Sequence, residues 1–170
     1  MSRKVCKMEY IFHTSSVDET EAVGRKIAEI LDDANIHTGF LSLYGEMGVG
    51  KTAFVRGFAA AFGIGGVTSP TYTVVNEYRG KQNGVLLFHF DLYRICSADD
   101  LFSIGFDDYA SRAGFCLTEW SENVEYALPK NRIRLSIVRT ARGEDERMLT
   151  LYVPDGFPCD FSAAIKRTDA

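Results

Sequence analysis

Three glycines, a lysine and a threonine fall within eight residues, Gly45-Glu46-Met47-Gly48-Val49-Gly50-Lys51-Thr52. Their order fits G-x-x-x-x-G-K-[ST], a pattern that cradles phosphate groups. The chemistry explains the residue types. A triphosphate carries dense negative charge, and its oxygens must be met at close range by several donors. Glycines let backbone N–H groups turn inward without a Cβ clash, forming an anion nest. A helix starting at Lys51 aims its N-terminal dipole and free N–H groups at the same charge. Lys51 can reach the β/γ oxygens, and the Thr52 hydroxyl can ligate Mg²⁺. The candidate nucleotide-binding residues are Gly45, Glu46, Met47, Gly48, Val49, Gly50, Lys51, Thr52 and Ala53.

A phosphate cradle of this kind needs a carboxylate beside the metal. Asp91 ends the apolar run VLLFHFD and Glu119 ends FCLTE, so both acids stand at the ends of predicted strands. Spacing alone does not rank them. Thr68-Ser69-Pro70-Thr71 places three hydroxyls around a proline that stiffens the loop. Such a loop suits a γ-phosphate sensor or a simple turn. His89, between Phe88 and Phe90, fits a structural role, and Trp120 either packs or covers a ligand.

The elements that would carry these residues can be placed from patterning. Ser16 and Glu19 have the spacing of a capping box, and Val23, Ile27, Ile30 and Leu31 recur at helical intervals. They predict a helix over 17–34. GFLSLY (39–44) predicts a buried strand, and a second helix runs from Thr52 to Phe62 with Gly63 as its C-cap. A strand over 73–78 and a turn at GKQNG lead to VLLFHFD (85–91), nearly continuous in apolar residues and expected to be buried on both faces. Ser97 starts a short helix, GFCLTEW (114–120) is a further strand, and 132–138 with 148–153 form an antiparallel edge pair. Helices interleaved with strands predict an α/β, three-layer, P-loop NTPase-like fold with a largely parallel central sheet. Ligands in such sheets bind beyond the carboxyl ends of the strands. Residues 1–157 are expected to form one P-loop ATPase domain and 158–170 a weakly ordered tail.

Composition sets outer bounds. The chain has 170 residues, 46% hydrophobic and 25% charged, with a net charge of −4. That balance argues against broad, nonspecific gripping of nucleic acid. No run approaches the roughly 18 apolar residues of a membrane span, and the N-terminus lacks the apolar core of a signal peptide. Cys6, Cys96, Cys116 and Cys159 show no paired spacing, which fits reduced thiols in a cytoplasmic protein.

Four motifs occur in one order: GEMGVGKTAFVRGF, VTSPTYTVVNEY, HFDLYR and TEWSEN. Together they resemble the bacterial TsaE (YjeE) family, the small P-loop ATPase of tRNA threonylcarbamoyladenosine (t6A) synthesis. The resemblance spans about residues 16–137; Glu46-Met47 and Val49 replace the Asp-Leu and Ala common there. It implies that Lys51 and Thr52 meet phosphate and Mg²⁺, that Thr71 is switch-like, and that Glu119 is similar to a metal ligand. Asp91 matches the acid of HFDLYR, expected to act on the metal's water or the attacking water, and Trp120 matches the tryptophan of the ligand site. Lys51, Thr71 and Asp91 form the expected catalytic set, Thr52 and Glu119 the metal set. The family implies slow hydrolysis of ATP by the isolated chain. It also implies partnership with the two threonylcarbamoyl-transfer subunits, TsaB and TsaD type proteins, and with tRNA through that complex.

Two other functions stay open at this point: a small-molecule kinase, and a nucleotide-binding regulatory module without useful turnover. A kinase would need an arginine-bearing lid, for which Arg139 and Arg142 are the nearest candidates. No N-K-x-D guanine motif is present. Nor does a motif announce an arginine finger, although Arg56 and Arg94 lie near the site motifs.

Overall fold

The computed structural model describes residues 8–81 and 83–164. Seven strands form one sheet in the order β1-β7-β6-β2-β5-β4-β3. Strand β2 (Gly39–Tyr44) lies at its centre, parallel to both β5 (Phe115–Glu119) and β6 (Ile133–Arg139), and β5 is parallel to β4 (Leu86–Asp91). Antiparallel pairs occupy both flanks. On one, β3 (Val75–Arg79) pairs with β4; on the other, β7 (Arg147–Val153) pairs with β6. The antiparallel flank expected from β6 and β7 is therefore extended, because β1 (Met8–Thr14) adds outside β7 and takes the edge.

Alternation along the strands builds two cores. Leu41, Leu43, Leu87, Phe115 and Leu117 face helix α1 (Val17–Asp33) and helix α2 (Lys51–Ala61). Phe40, Phe88, Phe90 and Cys116 face the other way, toward α3 (Ala98–Ser103) and α4 (Phe106–Ala110). This double burial explains why VLLFHFD is almost wholly apolar.

Helix α1 begins where Ser16 Oγ accepts the Glu19 N–H at 3.1 Å. The Glu19 carboxylate reaches back to the Ser15 N–H at 2.8 Å, one residue beyond the expected box. Gly24 of α1 and Gly57 of α2 let the helix backbones touch: a Cβ on Gly57 would lie 1.8 Å from the Glu21 carbonyl oxygen. This close contact fixes α2, and with it the turn that precedes Lys51.

Sequence patterning missed β1 and α4. In β1 the outward positions include Ile11, 43% exposed, so the strand has no clean polar face. Of the stretch expected to be weakly ordered, Cys159, Phe161 and Ala164 are buried, and Phe161 meets Tyr10 edge-on with ring centroids 5.8 Å apart. Residues 165–170, Cys6 and Gln82 lie outside the described residues. Among the described residues no helix is long and apolar enough to cross a membrane.

Candidate nucleotide-binding site

The carboxyl ends of β2, β4 and β5 open onto a cleft of about 480 Å³ that contains Lys51, Thr52, Thr71, Asp91, Glu119 and Trp120. The connection from β2 to α2 forms one wall. Gly45, Gly48 and Gly50 have φ of 138°, 71° and 118°, values that favour glycine. At Gly45 there is a second constraint, since a Cβ would lie 2.4 Å from the Ile137 carbonyl oxygen of β6.

Lys51 is buried at the start of α2, with its Nζ donating to the carbonyl oxygens of Gly45 at 2.5 Å and Glu46 at 2.9 Å. The same nitrogen lies 4.0 Å from the centroid of the Trp120 ring. Burial pushes the Lys51 pKa below its ordinary value, and the nearby carboxylates of Glu119, Glu122, Asp91 and Glu46 oppose that fall. Trp120 sits at φ 60°, an uncommon conformation for so bulky a residue, and packs edge-on against Tyr93. The turn after β5 therefore holds the indole over the lysine.

The two carboxylates come together by register, because Asp91 of β4 pairs directly with Glu119 of β5. Each has its own set of donors. Glu119 Oε1 accepts the Thr52 hydroxyl at 2.7 Å and lies 2.8 Å from His89 Nε2. Asp91 Oδ2 accepts the hydroxyls of Thr71 at 3.0 Å and Ser69 at 3.3 Å, and its Oδ1 accepts the Tyr93 N–H at 3.0 Å. Glu119 thus faces the start of α2, whereas Asp91 faces the Ser69–Thr71 loop. That loop ends in Val74 at φ 67°, a genuine outlier for a β-branched residue. Its carbonyl accepts the Asp91 N–H at 2.9 Å.

Met47, Gly48, Gly50, Lys51, Thr52, Ala53, Thr71, Asp91, Glu119 and Trp120 line this cleft, whereas Gly45, Glu46 and Val49 belong to the same turn but not to the cleft lining, and Val49 is buried in the core. Met47 is exposed, and Glu46 turns away to meet Arg139 Nε at 2.6 Å. Several contributing residues were not anticipated. Arg139 Nη2 also reaches the Gly48 carbonyl at 3.4 Å, and Arg147 Nε reaches that of Val49 at 3.0 Å, so the β6–β7 hairpin braces the glycine-rich turn. Asn123 donates to the carbonyls of Leu92 and Tyr93, tying the turn after β5 to the end of β4. Ser69 joins Thr71 on Asp91. For His89 the signal was available: it lies two residues before Asp91 on one strand, hence on the same face. Arg56, at the rim of the cleft, pairs with Glu21 of α1 at 2.8 Å.

The chain is similar to known proteins over most of its length. The family model described as "Threonylcarbamoyl adenosine biosynthesis protein TsaE" matches residues 14–149. A Bacillus subtilis protein named "tRNA threonylcarbamoyladenosine biosynthesis protein TsaE" is 38% identical over 141 residues, covering 82% of each chain. The protein of that name from Haemophilus influenzae is 41% identical over 118 residues, covering 67% of this chain and 72% of its own. The crystal structure of Bacillus subtilis YdiB superposes with a TM-score of 0.67 at 30% identity, covering 87% of both chains. Motif order, strand order and similarity across most of the length converge, and the chain belongs to the TsaE family.

Proposed function

We propose that this chain is the ATP-binding, slowly ATP-hydrolysing component of the machinery that makes N6-threonylcarbamoyladenosine at position 37 of tRNA. It works in the cytoplasm with threonylcarbamoyl-transfer subunits of the TsaB and TsaD type, and reaches tRNA through that complex. The observation that carries this reading is the convergence of Lys51, Thr52, Glu119 and Asp91 on one cleft from three separate segments of chain. The names of the relatives supply the pathway.

The residues fit a magnesium-bound nucleotide. The positive-φ glycines form a backbone cradle that has room for phosphate and none for a Cβ at Gly45. Thr52 and Glu119 present two hard oxygens 2.7 Å apart, the donor type that Mg²⁺ prefers. Bound there, Mg²⁺ would neutralise charge on the β- and γ-phosphates.

The remaining chemistry belongs to the chain. The glycine-rich backbone and Lys51 hold phosphate oxygens, and Trp120 keeps the lysine side of the cleft covered. Thr52 and Glu119 hold the metal. Asp91, fixed by Ser69, Thr71 and the Tyr93 N–H, is placed to orient a water and accept its proton. Among the nearby arginines, Arg56 is engaged with Glu21 and Arg139 with Glu46, so neither is a ready arginine finger, while Arg94 lines the cleft from an exposed position after β4. A partner completes the site, and the isolated chain turns over slowly. The tether on Arg139 also weighs against its service as a kinase lid.

Lys51→Ala tests the binding half of this proposal. Affinity for a fluorescent ADP analogue should fall at least about tenfold, the loss of one strong charge-assisted contact. Circular dichroism should remain that of the folded wild type. A folded variant with wild-type affinity would remove Lys51 from the phosphate site.

A further inference from the structure

We infer that His89 is a positioning residue: it holds the Glu119 carboxylate in the orientation that faces Thr52. The inference rests on the proposal that Glu119 holds Mg²⁺, and goes one layer behind it.

His89 is fully buried on β4, and its neighbours Phe88 and Phe90 point into the opposite core. Its Nε2 lies 2.8 Å from Glu119 Oε1, the oxygen that also accepts the Thr52 hydroxyl. Its Nδ1 is buried with no hydrogen-bond partner among the described residues. These facts together fix the tautomer. A proton on Nδ1 would leave a buried N–H unpaired, which is rarer than an unpaired acceptor. In the neutral ring it would also set the Nε2 lone pair against a carboxylate oxygen. With the proton on Nε2, the ring donates to Glu119 and only an acceptor lone pair goes unmet.

The need for such a donor follows from the sheet. Asp91 and Glu119 are register partners at the ends of adjacent parallel strands. Two like charges so placed repel, and each needs its own restraint. Asp91 has Ser69, Thr71 and the Tyr93 N–H. For Glu119 the Thr52 contact comes from the P-loop helix itself, and His89 supplies the donor from outside it. Groups that orient a metal-binding side chain from behind typically contribute 10–100-fold in metal affinity.

The test is a Mg²⁺ titration of fluorescent ADP binding by the full chain, with EDTA as the metal-free reference. His89→Leu should raise the Mg²⁺ midpoint about 10–100-fold while leaving metal-free ADP affinity near wild type. His89→Gln, which retains an N–H donor, should recover most of that loss. A folded His89→Leu chain with the wild-type midpoint would overturn the inference. Glu119→Gln, run in parallel, separates the two layers. If it too shows the wild-type midpoint, the assignment of Glu119 to the metal fails. If it alone shifts the midpoint, only the role of His89 fails. A measurement on the wild type guards against a variant that does not fold. Long-range ¹⁵N–¹H spectra of histidine-labelled protein should show the His89 proton on Nε2, and a proton on Nδ1 would refute the account.

Discussion

Replacing Gly57 with alanine sets two effects of opposite sign against each other. Gly57 lies inside α2, where alanine is favoured over glycine by about 1 kcal/mol on helix propensity alone. The contact with α1 opposes this. The added Cβ would lie 1.8, 2.5 and 2.7 Å from the O, C and Cα atoms of Glu21. All three are backbone atoms, so no rotamer change relieves the overlap and the helices must move apart. Overpacking of this kind costs about 1–3 kcal/mol, and a backbone-to-backbone clash belongs at the upper end. The net loss is about 2 kcal/mol, equivalent to a fall in Tm of about 4–8 °C for a chain of this size. Because α2 starts at Lys51 and Thr52, ADP affinity should fall as well. Gly65→Ala is the control, since a Cβ there meets nothing within 4 Å, and its stability should change by no more than about 1 kcal/mol. Thermal unfolding followed by circular dichroism reads both. A Gly57→Ala chain as stable as wild type, or more so, would refute the claim that helix contact at this glycine positions the site.

Thr71→Val removes one donor to Asp91 but none to the P-loop, so ATP turnover should fall about tenfold or more while ADP affinity holds. Equal losses in both would place Thr71 in binding instead. Burial pushes the Cys116 thiol up to about 12, so alkylation at pH 8 should mark exposed Cys96 and spare Cys116 until the chain unfolds. The same shift gives a stabilising contribution that is present below pH 9 and lost as pH rises toward 12, measurable as a falling urea midpoint. The hydrogen bonds from Arg112 hold the Glu77 carboxyl below its ordinary value of 4.5. That contribution is therefore present above pH 4.5 and lost as pH falls through the depressed value. The difference in urea midpoint between wild type and Glu77→Gln should narrow as pH falls below 4.5, and a gap that stays constant through acid unfolding would count against the pair.

What could be read from the sequence was local. The glycine-rich turn announces itself because glycine is favoured at the positive φ of Gly45, Gly48 and Gly50, and Asp91 and Glu119 stand out as acids ending apolar runs. What stayed hidden depends on register and strand order. No spacing rule places Arg139 and Arg147 against the P-loop, because that contact exists only once β6 lies beside β2. The division of labour between the two acids likewise follows from tertiary donors. Edge strand β1 escaped because Ile11 occupies its outward face, and Phe161 escaped because its partner, Tyr10, lies at the other end of the chain.

The proposed function requires that this cleft hydrolyse ATP and that partner proteins complete it. Phosphate release from MgATP should be measured with the chain alone and again with the two proposed partners, threonylcarbamoyl-transfer subunits of the TsaB and TsaD type. An arginine supplied in trans accelerates GTPases by about 10³–10⁵, so even a small part of that effect is easily resolved. The expected result is slow turnover alone, at least a tenfold rise with the partners, and association of the three proteins that depends on ATP. Equal rates without ATP-dependent association would contradict it.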